Sequence, residues 1–219
     1  DYAIGRNRYI GYLISLATRS YKGKRIGLDC ANGSTFNIAK SVFDALGAKT
    51  YVVGNEPNGL NINQNCGSTH IENLVNLVKE KELDCGFAFD GDADRCIAVD
   101  ETGQVIDGDY IIYICGTYLK KHGRLDGNHV VATIMANLGL FKALEKNGIE
   151  YDVTTVGDKY VNEDMVAHGY VLGGEQSGHI ILLDENTTGD GLLSCLHLAK
   201  AMAETGKPLS ALASVCRMY

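Results

Sequence analysis

The sequence predicts an α/β protein built from two consecutive domains, each a mostly parallel sheet flanked by helices. Three observations carry that expectation. Short apolar runs alternate along the chain with amphipathic stretches of helical period, the pattern of βαβ units. The helical stretches close on glycines, at Gly47, Gly148 and Gly169. The alternation restarts after Asp107-Gly108-Asp109, and 219 residues leave room for two domains of about 100 residues each. We therefore expect one domain over residues 1–105 and a second over residues 106–219.

In order, Ile4 to Ser20 reads as an amphipathic helix. Arg25 to Cys30 is a strand, Thr35 to Leu46 a helix and Lys49 to Val53 a strand. A polar Asn- and Gly-rich loop fills Gly54 to Gly67. Thr69 and Glu72 have the spacing of a capping box, which predicts a helix running to Glu82. Asp84 to Phe89 and Arg95 to Val99 are strands, and Gln104 to Ile106 pairs back as a hairpin. In the second series, Tyr110 to Lys121 is helical, His129 to Ile134 a strand and Leu138 to Asn147 a helix. Tyr151 to Val156 is a strand and Lys159 to His168 a helix. Tyr170 to Leu172 and His179 to Leu183 are short strands around a glycine-rich loop. Asp190 to Thr205 is a long helix that Thr187-Thr188-Gly189-Asp190-Gly191 caps, and Leu209 to Val215 is a shorter one.

A net charge of −7 gives no electrostatic footprint for nucleic acid or for an anionic membrane. No apolar run is long enough to span a bilayer and no signal peptide is present. The seven cysteines are odd in number, form no C-x-x-C pair and lie in or beside apolar patterns, which fits reduced, buried thiols in a cytoplasmic protein. The chain opens at Asp1, not Met, directly on a helical pattern, as expected of a piece of a longer protein.

The chemistry concentrates in Asp90-Gly91-Asp92-Ala93-Asp94-Arg95, directly after the apolar run Cys85 to Phe89. Three carboxylates at alternate positions repel one another unless a cation holds them together. An oxygen-only donor set at a strand end suits Mg²⁺, so Asp90, Asp92 and Asp94 are the candidate metal ligands. The Arg95 guanidinium beside them suits phosphate, and the combination points to phosphoryl transfer. Other accounts compete. An EF-hand would align Asp90, Asp92, Asp94 and Glu101, yet Arg95 stands where the loop needs Gly and the flanks are strand-like. A haloacid-dehalogenase-type phosphatase fits Asp90-x-Asp92, but no downstream Lys-plus-acid set accompanies it. A solvated acidic turn needs no ion at all.

A second cluster is Gly173-Gly174-Glu175-Gln176-Ser177-Gly178-His179. Its carboxylate, amide, hydroxyl and imidazole on a bendable backbone suit a polyol such as a sugar. The stretch does not match the nucleophile elbow of serine hydrolases, and nothing in the sequence places an acid behind His179. Val156-Gly157-Asp158-Lys159 forms a strand-to-helix junction that could receive an anion, with Lys159 adding charge. Asp29-Cys30-Ala31-Asn32-Gly33-Ser34 lies at a similar junction and reads as a structural turn. His70, His122, His129, His168 and His197 are scattered without ligand spacing.

Together, the acidic loop and the GEQSGH string (Gly174 to His179) resemble the α-D-phosphohexomutase superfamily. The stretches Gly59 to His70, Thr154 to Val161, Leu172 to Ile181 and Thr187 to Ser194 resemble its phosphoglucosamine mutase branch, as does Gln176, where other branches often carry Met. The resemblance implies interconversion of glucosamine 6-phosphate and glucosamine 1-phosphate through a phosphoserine and a sugar bisphosphate. It implies Mg²⁺ on Asp90, Asp92 and Asp94, and a phosphoryl-steadying role for Arg95. Glu175 and Ser177 would grip the hexosamine phosphate, Lys159 and Asp158 would line the site, and His179 would carry a proton. Such mutases have four domains, and this chain resembles the second and third. The Ser-His-Asn-Pro loop of the first and the Arg-x-Ser-Gly-Thr loop of the fourth are missing from the sequence, so those domains are expected partners and the chain alone is expected to be inactive. Two residues depart from the pattern. Lys159 stands where Arg is common, and Ala93 stands where Gly is common, a change expected to need a backbone free of positive φ.

Overall fold

A computed structural model describes residues 2–219; Asp1 lies outside them. Helix α1 (Tyr2–Ser15) opens the chain and stops before the expected Ser20. Leu16 and Ala17 close turns on the Leu13 and Ile14 carbonyls, and the Thr18 hydroxyl donates to Glu204 Oε1 at 2.7 Å, which draws the chain away. The first sheet contains β1 (Arg25–Asp29), β2 (Lys49–Val53), β3 (Cys85–Phe89), β4 (Cys96–Asp100) and β5 (Val105–Ile106), in the order β2-β1-β3-β4-β5. β1 pairs in parallel with β2 and β3, while β4 and β5 continue as antiparallel hairpins. Helices α2 (Ala39–Ala45) and α3 (Glu72–Glu80) connect these strands.

The capping box expected of Thr69 and Glu72 does not form. Ile71 is the residue before α3, and it makes no side-chain cap bond. Ser68 N–H is bound to Phe89 O at 2.9 Å and His70 N–H to Gly67 O, so Thr69 is held in a turn tied to β3.

The second sheet contains β6 (His129–Thr133), β7 (Glu150–Thr154), β8 (Leu172–Gly174) and β9 (Ile180–Leu182), in the order β7-β6-β8-β9. β6 is parallel to β7 and β8, and β9 returns antiparallel. Around it lie α4 (Gly108–Lys121), α5 (Leu138–Lys146), α6 (Asp158–His168), α7 (Gly191–Thr205) and α8 (Leu209–Ala213). Asp107 caps α4, Asn137 caps α5 and Asp190 caps α7, each accepting backbone N–H bonds that would otherwise be orphaned. Gly169 and Gly206 end α6 and α7 in the left-handed conformation.

The two sheets share one core. A single buried cluster runs from Leu13, Phe43 and Phe87 at the first sheet, through Ile111, Ile112 and Leu196, to Val130, Leu140 and Leu172 at the second. Helices α4 and α7 are buried along most of their length in this shared layer. α3 covers the outer face of the first sheet with Leu74 and Val78, and α6 covers the outer face of the second with Val161 and Met165. Burying each such side chain contributes about 1.5–3 kcal/mol. All seven cysteines are buried and free. No helix among the described residues is long and apolar enough to cross a membrane.

Candidate active site

Every residue of β3 is buried, and the chain first reaches solvent at Asp90. The Ala93 N–H then closes a turn on Asp90 O at 3.1 Å, folding the acidic loop back on itself. One carboxylate oxygen from each of Asp90, Asp92 and Asp94 lies within 4.8 Å of the others. Burial, and then the neighbouring Asp94 carboxyl, push the Asp90 carboxyl up to about 6, against an opposing hydrogen bond from Arg95 N–H. Such crowding of oxygen donors, with protonation favoured in their own company, fits a hard divalent cation such as Mg²⁺. Arg95 Nε lies 3.9 Å from Asp90 Oδ2 and 4.0 Å from Asp94 Oδ1.

Ala93 departs from expectation. Its φ is +64°, so an alanine occupies the left-handed region that glycine would occupy without strain. The loop holds this conformation because both sides are tied down. Gly191 N–H at the start of α7 donates to Ala93 O at 2.8 Å, and Ser34 N–H donates to Gly91 O at 2.8 Å. That second bond gives the Asp29 to Ser34 turn a supporting role. Buried Asp29 accepts N–H bonds from Ala31 at 3.0 Å and Gly67 at 2.8 Å, and its carboxyl is raised by burial.

The glycine-rich loop joins β8 to β9. Glu175 N–H donates to His179 O, and Gly178 N–H to Glu175 O, both at 3.0 Å. Gly178 has φ +95°, and a Cβ there would lie 2.3 Å from Cys96 O. The close approach has a purpose: Cys96 N–H donates to Gly178 O at 3.1 Å, and Arg95 and His179 form an antiparallel bridge. The exit of the acidic loop is thus hydrogen-bonded to the exit of the glycine-rich loop, across the two sheets.

His179 sits at this junction, 3% exposed. The expectation that no acid stands behind it is overturned. Asp94 Oδ2 lies 3.2 Å from Nδ1, and Asp158 Oδ2 lies 3.9 Å from Nε2. Both acids come from other segments, Asp94 from 85 positions away, so local spacing gave no sign of them. Gly189 presses on the ring, where a Cβ would come within 2.4 Å of it.

Arg95, Glu175 and Ser177 line a cleft of about 490 Å³ together with Thr133, Met135, Val156, Gly157 and Gln176. Glu175 Oε1 accepts the Gly157 N–H at 2.9 Å, so the first N–H of the α6 junction is already paired with a carboxylate of the chain itself. Gln176 Nε2 reaches Asp107 Oδ2 at 3.4 Å, linking the loop to the cap of α4. Lys159 does not join this group. Its side chain is 74% exposed and points to Glu163 Oε1 at 3.8 Å, one turn along α6. Thr133 and Met135 carry no chemical signature in the sequence, because they are residues of ordinary type at and just past a strand end.

Two family descriptions match the chain. Residues 7–103 match phosphoglucomutase/phosphomannomutase α/β/α domain II, and residues 107–219 match α/β/α domain III of the same family. Among curated relatives, the phosphoglucosamine mutase of Lachnoclostridium phytofermentans is 60% identical over 219 residues, which is 100% of this chain and 49% of that protein. The phosphoglucosamine mutase of Bacillus subtilis is 54% identical with the same coverage. The chain spans about half the length of these relatives. A phosphoglucomutase/phosphomannomutase family protein from Burkholderia thailandensis has a similar fold, with a TM-score of 0.84 at 23% identity over 97% of this chain and 46% of that one. The N-acetylphosphoglucosamine mutase of Aspergillus fumigatus, solved in complex with GlcNAc-6P and magnesium, aligns with a TM-score of 0.74 at 17% identity, over 95% of this chain and 48% of that one. With matched domains covering nearly its whole length, the chain belongs to the phosphoglucomutase/phosphomannomutase family, as its domains II and III.

Proposed function

We propose that this chain is the central portion of a phosphoglucosamine mutase, which interconverts glucosamine 6-phosphate and glucosamine 1-phosphate. One observation carries the proposal. The Arg95–His179 bridge sets the acidic loop beside the glycine-rich loop, so a phosphate near Arg95 and a sugar near Glu175 and Ser177 fall in one cleft. The identity of 51–60% to phosphoglucosamine mutases supports the choice of branch.

In this proposal Asp90, Asp92 and Asp94 hold Mg²⁺, which supplies charge neutralisation for a transferring phosphoryl group. Arg95 orients that phosphoryl. Glu175 accepts from sugar hydroxyls through the oxygen that Gly157 leaves free, and Ser177 donates and accepts. His179, flanked by Asp94 and Asp158, holds a proton close to both loops. The phosphoryl donor is a phosphoserine in the parent's first domain. It passes its phosphoryl to the sugar monophosphate, and the resulting bisphosphate returns its other phosphoryl to the serine. The fourth domain of the parent supplies the remaining phosphate contacts.

The test compares the full-length parent with this chain alone, each given glucosamine 6-phosphate, Mg²⁺ and a sugar bisphosphate activator. Turnover is expected only from the parent, and Asp92→Asn should lower it by roughly a hundredfold or more. An unchanged rate in that variant would remove the metal assignment. Phosphate release by the chain alone, lost in Asp90→Asn, would instead favour a phosphatase.

A further inference from the structure

We propose that Asp152, Asp164 and His168 form a second metal site, on the outer face of the second sheet, suited to a divalent transition ion such as Zn²⁺. The placement follows from the fold. Asp164 and His168 lie one turn apart on α6, and so share a face. The register of β6 with β7 sets Asp152 opposite Val131 and Glu150 opposite His129, so all four side chains point toward α6. One ligand atom from each of Asp152, Asp164 and His168 lies within 4.8 Å of the others.

The groups around these three are arranged as they are at metal sites. His168 Nδ1 lies 3.0 Å from the Asp164 carbonyl and 3.3 Å from Asp164 Oδ1; with Nδ1 donating there, Nε2 would be the nitrogen that takes the ion. His129 Nε2 stands 3.2 Å from Asp152 Oδ1, behind the carboxylate, yet misses hydrogen-bond geometry. Asp164 Oδ2 is shielded from solvent and has no donor. Tyr170 stacks on both histidine rings, at 4.2 Å from His129 and 5.3 Å from His168, which fixes their orientation. Among the described residues no lysine or arginine pairs with Asp152 or Asp164. A simple helical ion pair would need only Asp164 and His168. The second carboxylate from β7 adds repulsion that a cation removes. An imidazole in the donor set favours Zn²⁺, Co²⁺ or Ni²⁺ over Mg²⁺. The ion would clamp the end of α6 to β7, while Gly157, just before the start of the same helix, lines the cleft.

The test is titration of the chain with Zn²⁺, and with Co²⁺ for its visible absorption, in excess Mg²⁺ and in an Asp92→Asn background so that the acidic loop does not contribute. One equivalent is expected to bind, to raise the melting temperature and to shift the His168 ring signals in NMR while leaving those of His70 unmoved. His168→Gln and Asp152→Asn should each weaken binding by at least about tenfold, and His129→Phe by about tenfold through loss of support to Asp152. Circular dichroism of each variant checks that the fold persists. No Zn²⁺ or Co²⁺ binding under these conditions, or binding of equal strength in folded His168→Gln and Asp152→Asn, would overturn the proposal.

Discussion

Replacing Ala93 with glycine should stabilise the protein, an unusual direction for a substitution to Gly. At φ +64° the Ala93 Cβ crowds the following carbonyl, which costs about 1–2 kcal/mol. Glycine removes that cost but adds about 0.4–1 kcal/mol of chain entropy to the unfolded state. The balance is a gain of about 0.5–1 kcal/mol, or an increase of about 1–4 °C in melting temperature for a chain of this size. Ala203 provides the opposite control. It lies in α7 with helical backbone, so Ala203→Gly should lose about 1 kcal/mol. Urea denaturation of the two variants beside the parent sequence, in EDTA, measures both signs. If Ala93→Gly proves less stable than the parent sequence, the loop is not left-handed at this position, and the account of strain in the acidic loop fails.

Three further outcomes can be checked in the same chain. Asp109 is buried at the start of α4, where it accepts Asn137 N–H at 2.7 Å, and burial pushes its carboxyl up to about 6. An unfolded aspartate titrates near 3.9, so the folded state binds the extra proton between roughly pH 4 and 6, and its stability falls as pH rises through that window. Asp109→Asn should leave stability near pH 4 almost unchanged, add about 1–3 kcal/mol at pH 7.5, and flatten the slope between; parallel pH curves for the two proteins would refute this. Gly189→Ala should cost about 1–3 kcal/mol, because the new Cβ meets a ring held by Asp94 and Asp158; a loss below about 0.5 kcal/mol would mean the ring is free to move. Mg²⁺ at a hundred times its Kd should stabilise the chain by about 2.7 kcal/mol, and Asp92→Asn should abolish that gain as read by a thermal shift.

Much of this molecule can be read from residue order alone, because local chemistry decides it. The apolar run Cys85 to Phe89 followed by three alternate aspartates marks a strand end with a charged loop, and the structure places both there. Gly169 marks the end of α6 for a backbone reason, and Asp190 caps α7 by its side chain. What escaped notice depends on distant partners. The Asp94–His179 pair joins segments 85 positions apart. Lys159 has the right charge for a substrate anion, yet helical geometry aims it at Glu163, one turn on. Thr69 and Glu72 have capping spacing, but hydrogen bonds to β3 hold the preceding turn elsewhere. Likewise, the alternation of elements foretells two sheets without foretelling that their inner faces close on one shared core.

That shared core explains how the acidic loop keeps a conformation that is locally unfavourable. Three carboxylates within 4.8 Å repel by about 3 kcal/mol per pair at an effective dielectric constant of about 20. With the strain at Ala93, an isolated loop would relax by spreading apart. Here it has no slack. It leaves buried β3, enters buried β4, and is held midway by the first N–H of α7. α7 in turn lies in the layer between the sheets, and its cap Asp190 is held by the Tyr9 hydroxyl of α1 at 2.6 Å. Opening the acidic loop would therefore disturb α7, the Arg95–His179 bridge and the shared core together. The unfavourable electrostatics persist in the folded loop, where a bound cation would relieve them, and the same anchoring keeps the glycine-rich loop in register beside it.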